Sequence, residues 1–315
     1  MLDSAGRSGP SRRAAAERMA DTVQTVERTS ESPHLRVGER LRVLIAHREI
    51  LANLVRKELK VKYVASVLGA VWSLLNPLVY LAVFTFVTRV LGNGLPDYPV
   101  YLLSGLLAWN LFSASTVGGS RSVIDNANLV KKVAFPREIL PLAAIGVALV
   151  DYALQMVVLL IFIVATVGLH VPDLALLPLA FAALLVFTCA LTAWIAALNV
   201  RYRDVGHLLN IGLLVWFWVT PIVYSSGLVQ QHLGDRDVLA IIYFCNPLTA
   251  VVEGMHRSLY GVGVLPGPDG GTATWDMPLG TLAVVLVAVL VGSMIFLRFT
   301  WGSFFARSGD FAEEL

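Results

Sequence analysis

Residues 139–168 read ILPLAAIGVALVDYALQMVVLLIFIVATVG, thirty residues in which 17 are Ile, Leu, Val or Phe and a single one, Asp151, carries a formal charge. About 20 apolar residues cross a bilayer's hydrocarbon as a helix, so this stretch is long enough to span. Each Ile, Leu, Val or Phe favours insertion by about 0.3–0.6 kcal/mol, against roughly 3 kcal/mol opposing it for the aspartate. The span therefore survives its charge. Lipid exposure of that charge remains unfavourable, which predicts an inward-facing Asp151 that is paired or protonated, with Gln155 one turn later.

The rest of the chain repeats the pattern. It has 315 residues, 57% of them hydrophobic and only 15% charged, against about 25% charged in soluble domains. The reading is an all-α integral membrane protein with six spans, near 64–88, 99–117, 139–168, 174–198, 207–226 and 277–298. Arg36, Arg40, Arg42, Arg48, Arg56, Lys57, Lys60 and Lys62 precede the first span. Arg121, Lys131, Lys132 and Arg137 follow the second, Arg201 and Arg203 the fourth, and Arg298 and Arg307 the last. The opposite side holds only Arg89, Arg236 and Arg257. This bias puts both termini in the cytosol of a multi-pass plasma-membrane protein.

Residues 1–35 are polar, lack the apolar run of a signal peptide, and read as a disordered cytosolic tail. Residues 36–63 place Leu41, Leu44, Ile45, Leu51, Leu54, Val55 and Leu59 near helical spacing among basic residues. They read as an amphipathic helix in the headgroup layer or as an ordinary cytosolic helix. Between spans two and three, Val123, Ala127, Val130 and Ala134 form one apolar helical stripe near 120–135. Phe135 precedes Pro136, so this helix is expected to stop there, with Pro136 in the first turn of the third span. A rigid cytosolic helix between two spans can transmit a push; a solvated turn is the alternative. Residues 227–276, outside the cytosol, contain apolar pieces too short to cross, broken by Asn246-Pro247 and by Gly261 and Gly263. They read as re-entrant or interfacial helices, or as a loosely folded outer loop.

The candidate residues fall into groups. Tyr80, Phe84, Trp109, Trp216, Trp218 and Tyr224 put aromatic rings on the spans, residue types that also collect at lipid interfaces. Arg56, Lys57, Lys60, Lys62, Arg201 and Arg203 are placed at the inner surface to anchor on anionic lipids. Glu253 and Arg257, four apart, are expected to pair in the outer segment.

Several classes are excluded. Cys189 and Cys245 make no metal or disulfide pattern, and the histidines are scattered, so no metal is expected. A net charge of +2 gives no reason for nucleic-acid binding. Asp235-Arg236-Asp237 has a sugar-nucleotide DxD form but lies on the wrong side of the membrane, and the glycines of GVGVLPG (261–267) miss a dinucleotide spacing. No covalent chemistry and no cofactor is expected in the chain.

RKELKVKYVASVLGAVWSLLNPLVYLAVFTFV (56–87), KKVAFPREILPLA (131–143), LNVRYRDVGHLLNIGLLVWFWVTPIVY (198–224), NPLTAVVEGMHRSLYG (246–261) and FAEEL (311–315) resemble the membrane subunits of ABC-2 type exporters of O-antigen, teichoic acid and other lipid-linked polysaccharides. The resemblance implies a homodimer bound to two ATPase subunits that hold ATP and magnesium, and a polyprenyl-diphosphate-linked glycan as substrate. Such a substrate would make Tyr80, Phe84, Trp109, Trp216, Trp218 and Tyr224 candidates to line a channel for its sugars, and Arg56, Lys57, Lys60, Lys62, Arg201 and Arg203 candidates to hold its diphosphate. It implies an interfacial helix, a coupling helix whose Asn128, Lys131, Lys132, Phe135 and Arg137 face the ATPase, and outer gate helices. The chain has no GxxxxGK[ST], so the nucleotide must sit on the partner. Nineteen arginines against five lysines fit a GC-rich bacterial genome and turn the expectation toward a cell-wall galactan. A drug or lipid exporter and a proton-coupled transporter using Asp151 are the alternatives.

Overall fold

The computed structural model describes residues 37–64, 69, 71–91, 95–133, 135–166, 168, 171–202, 204–227, 229, 243–263, 272–275 and 277–308. The expected tail at 1–35, Arg203, the DxD triplet, most of 227–242 and the C-terminal FAEEL lie outside them. By contacts the chain divides into residues 1–40 and a compact unit from Leu41 to Leu315.

Among the described residues there is no β-strand, and the helices are α1 (Val37–Ala46), α2 (Arg48–Val64), α3 (Val71–Leu91), α4 (Tyr98–Asp125), α5 (Ala127–Lys132), α6 (Ile139–Thr166), α7 (Val171–Leu174), α8 (Leu176–Arg201), α9 (Val205–Val219), α10 (Pro247–Leu259) and α11 (Leu279–Ser308). Four of them, α4, α6, α8 and α11, are long and apolar enough to cross a membrane. The apolar parts of α3 and α9, Val71–Val87 and Val205–Val219, are shorter. The expected fifth span at 207–226 therefore ends early. Thr220, ahead of Pro221, is extended, because the proline ring disfavours helical geometry in the residue before it. The expected first span near 64–88 starts instead at Val71, after Gly69 at φ 50°.

Helix α4 is the axis of the bundle. It packs along α6 and α8, α11 packs along α8, and α10 crosses α4 and α8. Close packing along α4 depends on missing side chains. A Cβ on Gly119 would fall 2.1 Å from Cγ2 of the buried Thr192 on α8. Gly119→Ala is expected to cost about 1–3 kcal/mol through overpacking. Thermal unfolding of the purified protein should show that loss, and adding Thr192→Ser, which removes the clashing methyl, should recover most of it.

Two cores follow from this arrangement. The larger runs from Tyr98–Phe112 through α6, α8 and α10. The smaller gathers Leu54, Val123, Val130, Ile139, Leu140, Val200 and Phe304 at the end where α4 meets α5. Asn199 fastens this end, donating to the Ser120 carbonyl at 2.8 Å and accepting from the Gly206 N–H at 3.1 Å. By contrast, much of the apolar surface of α3 and α9 is bare. Trp72, Leu78, Val83 and Phe86 on one, and Leu208, Ile211, Leu214 and Trp218 on the other, are exposed.

Candidate functional site

Two polar sites interrupt the apolar bundle, one around α10 and one around Asp151. Helix α10 starts with its own cap: the Asn246 side chain accepts from the Leu248 N–H, and Pro247 occupies the first turn. The same Asn246 oxygen accepts from Trp216 Nε1 at 2.9 Å, and its amide donates to Thr220 Oγ1 at 3.1 Å. The start of α10 is thus tied to the end of α9.

Further along α10, Glu253 and His256 are both fully buried. The expected Glu253–Arg257 pair does not form. Glu253 accepts from the Trp275 N–H at 2.9 Å and lies 3.7 Å from His256 Nδ1, a spacing too long for a hydrogen bond. The physical reason is that Glu253 faces the core, whereas the longer Arg257 reaches outward to Asp173 at 3.2 Å. The His256 ring stacks on Tyr101 with centroids 3.9 Å apart, in space left by Gly105, where a Cβ would stand 2.6 Å from Nε2. Tyr260 meets the Tyr101 ring edge-on and donates to the Pro96 carbonyl. This one helix therefore touches the start of α4, the α7 segment, the end of α9 and the approach to α11. Sequence reasoning missed His256, Tyr101 and Asp173; the three-residue spacing of Glu253 and His256 was the available signal.

Asp151, near the middle of α6, has partners: Lys62 at 2.5 Å, the Tyr63 hydroxyl, and the Ser73 hydroxyl at 3.0 Å. Tyr63 and Ser73 also join to each other at 2.6 Å. Val55 of α2 sits on Gly146 of α6, so α2 climbs beside α6 in the same chain direction up to this cluster. The stretch expected as one amphipathic helix is two, broken at His47, whose Nδ1 contacts the Val43 carbonyl oxygen. Of the expected diphosphate ligands, Lys62 is already neutralised by Asp151. Lys57 pairs with Glu58 at 3.5 Å, Arg56 donates to Asn53, and Arg201 lies over the Tyr202 ring. Lys60 is exposed.

The cytosolic helix expected near 120–135 is differently built. Helix α4 continues to Asp125, and only Ala127–Lys132 remains for α5. Asn126 makes the break, donating to the Ser122 carbonyl at 2.9 Å and competing with the helical pattern. The helix ends at Lys132 rather than at Phe135, and Pro136 lies in a turn ahead of α6, its carbonyl accepting from the Ile139 N–H. Val123 and Val130 are buried together as the stripe predicted, whereas Asn128, Lys131 and Lys132 are exposed. Phe135 packs on the smaller core. Burial lowers the pKa of the half-buried Arg137, and neighbouring Glu138 opposes that shift.

The aromatic candidates separate by exposure. Tyr80, 41% exposed and stacked on Phe84, and Trp218, 60% exposed, present faces outward. Trp109 is buried between Phe112 and Phe217, and the half-buried Trp216 packs against Phe112 and Phe187. Tyr224 is half-buried and donates to the Trp218 carbonyl at 3.0 Å. Among the described residues no group of His, Cys, Asp and Glu could hold a metal ion.

The sequence matches the model of the ABC-2 type transporter family over residues 50–260. It is similar to the O-antigen export system permease protein RfbA of Myxococcus xanthus, 31% identical over 282 residues, which covers 87% of this chain and 98% of that protein. A Klebsiella pneumoniae protein of the same description is 29% identical over 221 residues, covering 69% and 82% of the two chains.

Proposed function

From the membership of this chain in the ABC-2 type transporter family, we propose that it is the membrane-spanning permease of an exporter for a lipid-linked polysaccharide. The observation that carries this reading is the similarity, over nearly the whole of both chains, to a permease of O-antigen export. The permease works as a homodimer in the cytoplasmic membrane, and the bare apolar faces of α3 and α9 supply surface for a second copy or for lipid. Its six spans leave both termini in the cytosol. Two ATPase subunits supply the driving force, because the chain itself holds no phosphate-binding loop.

A glycan offers hydroxyls and apolar CH faces, so its path needs aromatic rings and few fixed charges. Tyr80 and Trp218 are the outward-facing rings that fit; Trp109 and Trp216 contribute by shaping the wall from inside. Arg56 and Lys60 of α2 remain available to the diphosphate, and α10 with its four tethers acts as the outer gate. The arginine-rich composition favours a cell-wall galactan as cargo. Asp151 acts as a structural partner of Lys62, which removes the chief support for proton-driven transport.

Reconstitution with the ATPase tests the reading: lipid-linked galactan on the cytosolic face should disappear with ATP. Movement driven by a pH gradient and indifferent to ATP would overturn it. For coupling, single cysteines at Asn128, Lys131 and Lys132, all exposed, are expected to crosslink to the ATPase. Labelling of these cysteines from outside intact cells would remove both the topology and the coupling role.

A further inference from the structure

Helix α10 carries a carboxylate and an imidazole side by side into the interior of the bundle. Glu253 and His256 are both fully buried, with Oε1 and Nδ1 3.7 Å apart. Neither of these atoms has a hydrogen-bond partner, and neither has His256 Nε2. The other carboxylate oxygen, Oε2, accepts from the Trp275 N–H at 2.9 Å. An ionised carboxylate in such a place is costly unless a cation compensates it or it takes up a proton itself.

The surroundings leave one candidate for that cation. Arg257, on the same helix, is engaged by Asp173 of α7. From α4 come Tyr101 and, stacked behind it, Tyr98, whose hydroxyls donate to the carbonyls of Tyr224 and Val223. Asp97, just ahead of α4, is exposed. Tyr243, in the turn before α10, has a buried hydroxyl that burial, and then the charge of Glu253, push above the ordinary tyrosine range; it stays neutral. Tyr260, at the end of α10, donates to the Pro96 carbonyl. The groups that α8 and α11 bring against Gly254, Ala180 and Leu286, are apolar. Among the described residues only His256 can become positive beside Glu253.

Two contacts favour the charged forms. A backbone N–H donated to a carboxylate stabilises its ionised state. The His256 ring lies on the face of Tyr101 with centroids 3.9 Å apart, where an imidazolium gains a cation–π attraction that a neutral ring lacks. Gly105 gives the ring its place there, since a Cβ at that position would stand 2.6 Å from Nε2.

We propose that Glu253 and His256 form a proton-binding site, in which the carboxylate and the Tyr101 ring hold His256 as an imidazolium. With the proton bound, the two charges cancel inside the bundle. Without it a bare carboxylate remains buried, which drives Glu253 toward water and loosens α10 from its seat on α4. The seating of α10 thereby depends on pH. The site involves only side chains of this chain and stands whatever the cargo; its bearing on transport rests on the reading of α10 as a gate.

Histidine rings isotope-labelled in the full-length chain report the proton directly by nuclear magnetic resonance. The spectrum is taken at about pH 7.5, where an ordinary histidine is roughly nine-tenths neutral. One of the six histidines should be doubly protonated. His256→Gln should remove that signal, and Glu253→Gln should turn it into that of a neutral ring. A parent chain without a doubly protonated ring overturns the proposal, and so does such a ring that survives either substitution. Thermal unfolding of the parent keeps the test open if neither variant folds. Above about pH 6.5 the unfolded chain has released this proton and the folded chain has not, so stability falls as pH rises; below it both states hold the proton and the pair contributes in full. The folding equilibrium constant should therefore drop by up to about tenfold per pH unit, the slope for one proton. A flat profile between about pH 7 and pH 8 overturns the proposal as well.

Discussion

Glu253→Ala is expected to lower the stability of the purified protein by about 3 kcal/mol and to abolish export. The carboxylate is fully buried and is the acceptor for the Trp275 N–H. Its removal strands a buried donor, which costs about 1–3 kcal/mol, and opens a cavity beside His256. Glu253→Gln keeps an acceptor oxygen at the same place and should retain most of the stability. Arg257→Ala breaks the pair with Asp173, of which both side chains keep some contact with solvent. Its cost should be smaller, about 1 kcal/mol. Thermal unfolding and reconstituted export, measured on all three, separate the cases. A Glu253→Ala protein as stable as the parent would show that Trp275 finds its acceptor elsewhere.

Asp151→Ala should rank next. It leaves Lys62, Tyr63 and Ser73 without the oxygen atoms they share. Because nearly half of the Lys62 side chain is exposed, water can take up part of its charge, so the expected cost is about 2 kcal/mol. Replacing both members, Asp151→Leu with Lys62→Leu, should recover much of that stability, since no charge is left without a partner. The two readouts should then part company. Stability returns in the double variant, but export remains impaired because the polar tie from α2 to α6 and the start of α3 is gone. Recovery of both together would mean that the tie has no role in transport.

The long apolar helices were legible because hydropathy depends on local composition alone. The 139–168 stretch became Ile139–Thr166 with little change. The need for a partner at Asp151 was also legible, since an unpaired charge among apolar neighbours is costly wherever it lies. The identity of that partner was not. Lys62 is 89 residues away, and on sequence grounds it belonged to a row of interchangeable surface cations. Glu253 and Arg257 failed for a related reason: four-residue spacing sets which residues can meet, but the burial of one face of α10 decided which of them did. The helix end after Lys132 was missed because the proline rule marks where a helix cannot continue. It does not mark where Asn126 and Val133 make it stop earlier.

Helix α4 carries a mechanical consequence of its length. Its 28 residues make a rod of about 42 Å. One end is held by Tyr98, Tyr101 and Gly105 at the α10 cluster, and the other runs into Asn126 and α5. A displacement imposed at Asp125 must therefore reappear at Tyr98 with little loss, as in a push rod. The exception is bending at Gly118-Gly119, where two adjacent residues without side chains leave the rod softest. Gly119 is also the point at which the rod bears on Thr192. The stiffness of that one joint decides whether the two ends of the molecule move as one piece or in turn.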